Sequence, residues 1–186
     1  MKNILVASFL FLSMSALHAQ DKYFTKEGKI NFNATSPSSP EKVEGINKSV
    51  ICVEDIKTGN IQFAAIMKAF EFERSLMQEH FNENYVESDK YPKAEFKGMI
   101  ANNSDVNYTK DGSYPVTVKG KLSIHGETKD VETNGTLTVK NGKIAAVATF
   151  DVALADYKVS IPSLVADKVA KVAKISVDCL LEPLKN

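Results

Sequence analysis

Residues 114–131 read YPVTVKGKLSIHGETKDV. Tyr114, Val116, Val118, Gly120, Leu122 and Ile124 alternate with Pro115, Thr117, Lys119, Lys121, Ser123 and His125. One face is apolar or small and the other mostly polar, the period of two that marks a half-buried strand. The tight segment His125-Gly126-Glu127-Thr128 follows, and a second alternating strand then begins. A run this long, with one dry face, points to the twisted wall of an antiparallel barrel rather than to a small flat sheet. What the dry face encloses is the functional question.

Strand-like runs recur on both sides of this stretch. Residues 28–34 form the first, and Ser36-Pro37-Ser38-Ser39-Pro40 breaks the chain after it. Residues 43–56 follow, and Thr58-Gly59-Asn60 turns them into 61–72. Residues 94–101 come next, and Asp111-Gly112 leads into the Tyr114 strand. Residues 131–139 join 144–154 through Asn141-Gly142, a strong short hairpin signal. Residues 173–181 complete the set. About eight antiparallel strands in one domain fit a barrel or a sandwich. Two segments break the period. RSLMQEHFNEN, residues 74–84, sets Leu76 with His80 and Met77 with Phe81 at i,i+4 spacing, which predicts a short amphipathic helix. Residues 163–168, just after Pro162, predict a second helical turn.

The apolar register of each strand defines an inward set. Its candidate pocket-lining, ligand-binding members are Phe63, Ala65, Met67, Phe96, Ile100, Val116, Val118, Leu122, Ile124, Ala148, Phe150, Ile175 and Val177. An eight-stranded barrel is just wide enough to be filled by side chains or to hold one small ligand. Inward Ala65, Ala94, Gly98, Gly120, Ala146 and Ala148 leave room for an elongated apolar cavity. The alternative is that these small residues face a packed helix or taper the barrel, and the sequence leaves both open.

The first 19 residues carry the marks of a secretory signal peptide. Lys2 supplies the positive start, residues 4–17 the apolar stretch, and Leu17-His18-Ala19 the small-residue cleavage site. The apolar stretch falls short of the roughly 20 residues of a membrane span, which disfavours an uncleaved anchor. No Cys lies near the cleavage site, so no lipoprotein anchor is expected. The expected organisation is a signal peptide at 1–19 and one barrel domain at 20–186, periplasmic or secreted, with no stable membrane anchor. The chain has 23 basic and 23 acidic residues. That balance gives no electrostatic case for nucleic acid or for an anionic membrane surface. Export permits a disulfide between Cys52 and Cys179; two buried thiols acting as small hydrophobes are the other reading. Whether the chain forms a homodimer is left open.

Catalytic signatures are missing from the sequence. It contains no Gly-x-Ser-x-Gly elbow and no phosphate-cradling glycine loop. Beyond the signal segment only His80 and His125 remain. His125 shares the outward register of Lys119, Lys121 and Ser123, so it is expected at a strand end near solvent. His80 is expected to cap or pack the short helix. The acidic group Glu71, Glu73, Glu79, Glu83, Glu87 and Asp89 reads mostly as a solvated face, with no calcium-loop spacing. The expectation is no enzyme, no catalytic residue, no metal and no cofactor.

GKLSIHGETKDV, residues 120–131, resembles the G-x-L-x-I-x-G-x-T-K-x-V stretch of the YceI-like family of exported bacterial proteins. HFNENYVESDKYPKAEF, residues 80–96, is similar to that family's short helix and the yP-x-a-x-F run behind it. The order of elements also agrees over nearly the whole mature chain. Residues 25–39, TKEGKINFNATSPSS, depart from the Asp-Pro-x-His-Ser-like opening of many members. The resemblance implies an all-β, antiparallel, eight-stranded lipocalin-like barrel with one or two short helices. It also implies a long-chain apolar partner inside it: a polyisoprenoid, an isoprenoid quinone or a fatty-acid-like molecule. Arg74, Lys97 or Tyr114 would meet a polar head group near a mouth gated by the helix. A non-enzymatic stress or interaction protein with a filled barrel is the alternative, and an enzyme acting on a lipid ranks last.

Overall fold

The computed structural model describes residues 21–184; the expected signal peptide, residues 1–19, lies outside them. Nine strands form one sheet: β1 (Lys22–Thr35), β2 (Glu44–Asp55), β3 (Asn60–Ile66), β4 (Phe70–Phe72), β5 (Lys93–Ile100), β6 (Gly112–Ile124), β7 (Glu127–Lys140), β8 (Lys143–Ala153) and β9 (Val169–Pro183). Eight of them close a ring in the order β1-β9-β8-β7-β6-β5-β3-β2, sealed by the β1–β2 ladder. All of the ladders are antiparallel. Of the barrel and the sandwich that about eight alternating strands allow, this is the barrel.

The expected strand 61–72 is two strands. A 3-10 turn at Met67–Ala69 separates β3 from β4, and β4 pairs with the far half of β2. The cause is a side chain. Asn47 is fully buried, and its Nδ2 donates to the Ile66 carbonyl at 2.9 Å, where β3 leaves the ladder. Its Oδ1 accepts from the Ser49 N–H at 2.9 Å. One amide thus satisfies backbone groups that the broken ladder would strand.

The two central hairpins share one turn chemistry. Asn141 and Gly142 have φ of 51° and 72°, and His125 and Gly126 have 50° and 79°. Positive φ at both central residues gives a type I′ turn, whose twist matches that of the flanking strands. The β7–β8 turn lies at one end of the barrel with the β2–β3 turn. The β6–β7 turn lies at the opposite end, with helix α1 (Ser75–His80) and the π turn Phe81–Tyr85 behind it.

The hairpin end is densely packed. Cys52, Cys179, Leu181 and Ile144 are buried there with Tyr23, Ile100 and Val139. Gly28 of β1 packs against Cys179 and Val50. A Cβ on it would approach Cys179 Sγ to 2.5 Å and the Val50 carbonyl to 2.9 Å. Both cysteines are free thiols.

The helix end is closed by aromatic side chains. Phe81 sits 5.6 Å from Phe32, 5.5 Å from Phe70 and 4.8 Å from Phe72, ring centre to ring centre. Leu76 of α1 is exposed, and the inward side of this segment runs through half-buried Met77 and the buried Phe81 of the π turn. His80 is exposed and makes no cap, contrary to the packing role expected of it. Residues 163–168 contain a single 3-10 turn at Ser163–Val165.

Candidate functional site: an apolar cavity inside the barrel

The inward faces enclose a cavity of about 190 Å³. One water needs roughly 10–15 Å³ by the same measure, so the space exceeds a packing defect by an order of magnitude. Phe63, Ala65 and Met67 face it from β3 and the turn beyond, Phe96 and Ile100 from β5, and Val116, Val118, Leu122 and Ile124 from β6. Ala148 and Phe150 contribute from β8, and Ile175 and Val177 from β9. The thirteen residues read as inward from the sequence all line this cavity, twelve of them from strands and Met67 from the 3-10 turn after β3.

Not every small inward residue makes space. Ala65, Ala94, Ala146 and Ala148 line the cavity, but Gly98 and Gly120 do not. The Phe96 ring occupies their positions. A Cβ on Gly98 would lie 2.6 Å from Phe96 Cζ, and one on Gly120 would lie equally close. The two glycines face each other across the β5–β6 ladder, and the ring lies over the pair. They remove clashes rather than create volume.

Sequence reasoning missed the upper wall. Phe32, Phe72, Phe81, Tyr85, Leu154 and Tyr157 line the cavity at the helix end. Phe32 and Phe72 carry a strand-period signal in β1 and β4. The rest lie in turns, where no period marks the inward side.

His125 is not near solvent. Its side chain is only 10% exposed and joins three segments. Nδ1 lies 3.0 Å from the Tyr157 carbonyl, Nε2 lies 2.6 Å from Glu87 Oε2, and the ring meets Tyr91 edge-on at 4.6 Å. The positive φ of the turn swings the side chain out of the strand register, which is why alternation misplaced it. His125 fastens the segment after the π turn and the segment after β8 to the β6–β7 hairpin.

The residues expected at a head group do not converge. Arg74 is ion-paired with Glu41 at the helix end. Lys97 points outward from the middle of β5. Tyr114 lies toward the hairpin end, where its hydroxyl donates to the Lys110 carbonyl at 3.0 Å.

A buried polar group sits in that same end, below the cavity. Glu54 is fully buried, and burial pushes its carboxyl up to about 7, against a lowering hydrogen bond from Tyr108. The Tyr108 hydroxyl lies 2.7 Å from Glu54 Oε1 and 2.7 Å from Asn103 Oδ1. Asn103 donates its Nδ2 to the Ile56 carbonyl at 2.9 Å, which fixes the amide orientation. One phenolic proton cannot serve two acceptors. A protonated Glu54 resolves this: it donates to Tyr108, which donates to Asn103. Glu54 Oε2 has no partner among the described residues, a tolerable state for the carbonyl oxygen of a neutral acid and a costly one for a carboxylate. Among the described residues, no group of three or more His, Cys, Asp or Glu side chains could hold a metal ion.

A sequence model of the YceI-like domain matches residues 12–179. The chain belongs to the YceI-like family. Solved structures repeat its fold at low identity. A polyisoprenoid-binding domain from Saccharophagus degradans, described as implicated in plant cell wall breakdown, is similar with a TM-score of 0.77 at 11% identity, over 89% of this chain and 100% of that one. BcnA of Burkholderia cenocepacia gives 0.66 at 18%, over 83% and 95%. A YceI protein of Campylobacter jejuni gives 0.59 at 16%, over 78% and 87%. No curated protein matches the sequence. At these identities it is the YceI-like barrel that is shared, and residue roles must come from this chain.

Proposed function

We propose that this YceI-like protein is an exported, non-enzymatic lipid carrier that holds a long apolar molecule in its barrel. A polyisoprenoid, an isoprenoid quinone or a fatty-acid-like chain fits the reading. The observation that carries it is the cavity itself, an almost wholly hydrocarbon-walled space at the centre of a closed ring of strands. Each ligand CH₂ moved from water into such a space contributes about 0.8 kcal/mol. A chain of modest length then binds without many polar anchors, consistent with Arg74, Lys97 and Tyr114 lying apart. The polyisoprenoid-binding description of the Saccharophagus domain supports the same ligand class. The thirteen wall residues named from the sequence are the proposed ligand contacts, and residues 1–19 the proposed export signal. A filled barrel serving only as an interaction scaffold is disfavoured, because the barrel is hollow. Native mass spectrometry and organic extraction of the purified protein test the proposal. The expected result is a co-purifying lipid, or uptake of added quinone, polyprenol or fatty acid. A protein that is apo and takes up none of these overturns it.

A further inference from the structure

The barrel ring is not laddered along its full height. The β7–β8 pairing runs only from Lys140↔Lys143 to Gly135↔Ala148. Above that rung β7 pairs with β6 alone, and β8 with β9 alone. Among the described residues no other backbone hydrogen bond joins residues 127–134 to 149–153. The 3-10 turn Leu154–Tyr157 crosses above the gap. It is held there by the His125–Tyr157 contact and by the Lys158–Glu127 ion pair at 2.6 Å. The result is a four-sided window in the ladder, backed by side chains alone: Val131 and Phe150 pack there against Val152, Leu154 and Tyr157. Its β7 edge, residues 131–134, is about 13 Å long at 3.3 Å per residue.

Two features of the sequence keep the window open. Continuing the register would place Glu132 opposite Asp151, a like-charge cross-strand pair that disfavours closure. Glu132 is instead paired with Lys119 of β6 at 3.1 Å. Gly135 forms the hinge. A Cβ there would lie 2.8 Å from the Val147 carbonyl, so the strands touch closely at the last rung and part beyond it.

The window leads to the cavity. Val131 and Thr133 on one edge and Phe150 on the other line the interior and are half-buried, while Val152, the next inward residue of β8, is buried. Leu137, Val139, Ile144 and Ala146, lower on the same two strands, are buried. The axial route at the helix end is obstructed by Phe81 in its nest of three phenylalanines. We propose that the apolar chain of the ligand enters and leaves the barrel sideways, through the β7–β8 window. This rests on the lipid-binding reading above and adds the route to it.

The test uses the full chain with Glu132→Cys and Asp151→Cys, two exposed positions that face outward across the gap. Native Cys52 and Cys179 have no exposed surface, so a thiol-cleavable bismaleimide reaches only the new pair. The readout is the association and dissociation rate of a dansyl-undecanoate probe. Bridging is expected to slow both rates at least tenfold, and cleaving the bridge to restore them. Thr133→Trp, a plug on the window edge, is expected to slow both without any cross-link. A matched bridge at the helix end, Glu41→Cys with Arg74→Cys, is expected to leave the rates within twofold. Complete bridging of the window with unchanged rates overturns the route while the lipid-binding reading stands. So does slowing by the helix-end bridge alone. An unbridged protein that binds no probe overturns the lipid-binding reading, and the route with it.

Discussion

The carboxyl of Glu54 and the hydroxyl of Tyr108 meet at 2.7 Å in the sealed end of the barrel, and a neutral acid satisfies the proton count of their network. A YceI-like barrel that is apolar at its centre thus carries a titratable group in its floor.

The pH dependence of stability follows from that group. The folded-state value is about 7 and the ordinary value 4.5, so the folded protein binds more protons between the two. The contribution is fully present below pH 4.5 and is lost as pH rises to 7. A displacement of this size corresponds to about 3 kcal/mol. Urea titrations across this range should show that loss in the parent protein. Glu54→Gln, which stays neutral, should flatten the slope. Parallel profiles for the two proteins would mean that Glu54 is ionised throughout.

The glycine pair under Phe96 should tolerate no side chain. A Cβ on Gly98 would lie 2.4 Å from the Lys119 carbonyl, and one on Gly120 would lie 2.5 Å from the Gly98 Cα. Backbone atoms cannot swing aside as a side chain can. Gly98→Ala or Gly120→Ala is expected to destabilise by about 1–3 kcal/mol, the usual range for overpacking. Thermal or chemical denaturation measures it.

His125 should matter for order rather than for chemistry. Asn accepts the left-handed backbone of the turn almost as well as Gly does, but it is too short to span from Tyr157 to Glu87. His125→Asn is therefore expected to preserve the β6–β7 hairpin and release the two segments it holds. Hydrogen exchange should quicken at residues 85–91 and 154–159 and stay unchanged in β6 and β7. The stability loss should be about 1–2 kcal/mol, the scale of two partly exposed hydrogen bonds.

Filling the cavity should separate binding from folding. Ala148 lines the cavity beside the last β7–β8 rung. Ala148→Phe places a ring in open space, so stability should hold to within about 1.5 kcal/mol. Affinity for an aliphatic probe should fall at least tenfold by fluorescence titration. Unchanged affinity would place the ligand elsewhere.

The legible part of this site is the part built by strands. A period of two assigns each residue of a long strand to the wall or to the outside, and one register choice per strand places twelve side chains on the cavity. Where a turn or a side chain interrupts the period, that reasoning has nothing to act on. Asn47 ends the β3 ladder through its own amide, so 61–72 reads as one strand and folds as two. His125 continues the alternation of β6 on paper, but its positive φ re-aims it. Phe81 and Tyr157 close the upper wall from turns. Small size is also ambiguous: Ala146 and Ala148 leave a void, whereas Gly98 and Gly120 sit under an aromatic ring supplied by their own neighbour.

The ladder between β1 and β9 joins the first strand of the ring to the last. Neither the floor around Cys52 and Cys179 nor the complete wall can form until β9 has docked. Contacts this distant in sequence are made late and slowly. The cavity is consequently a property of the closed ring, and a growing polypeptide offers no partial pocket. On the proposed lipid-carrier reading, cargo would then be taken up by the folded barrel rather than wrapped during folding.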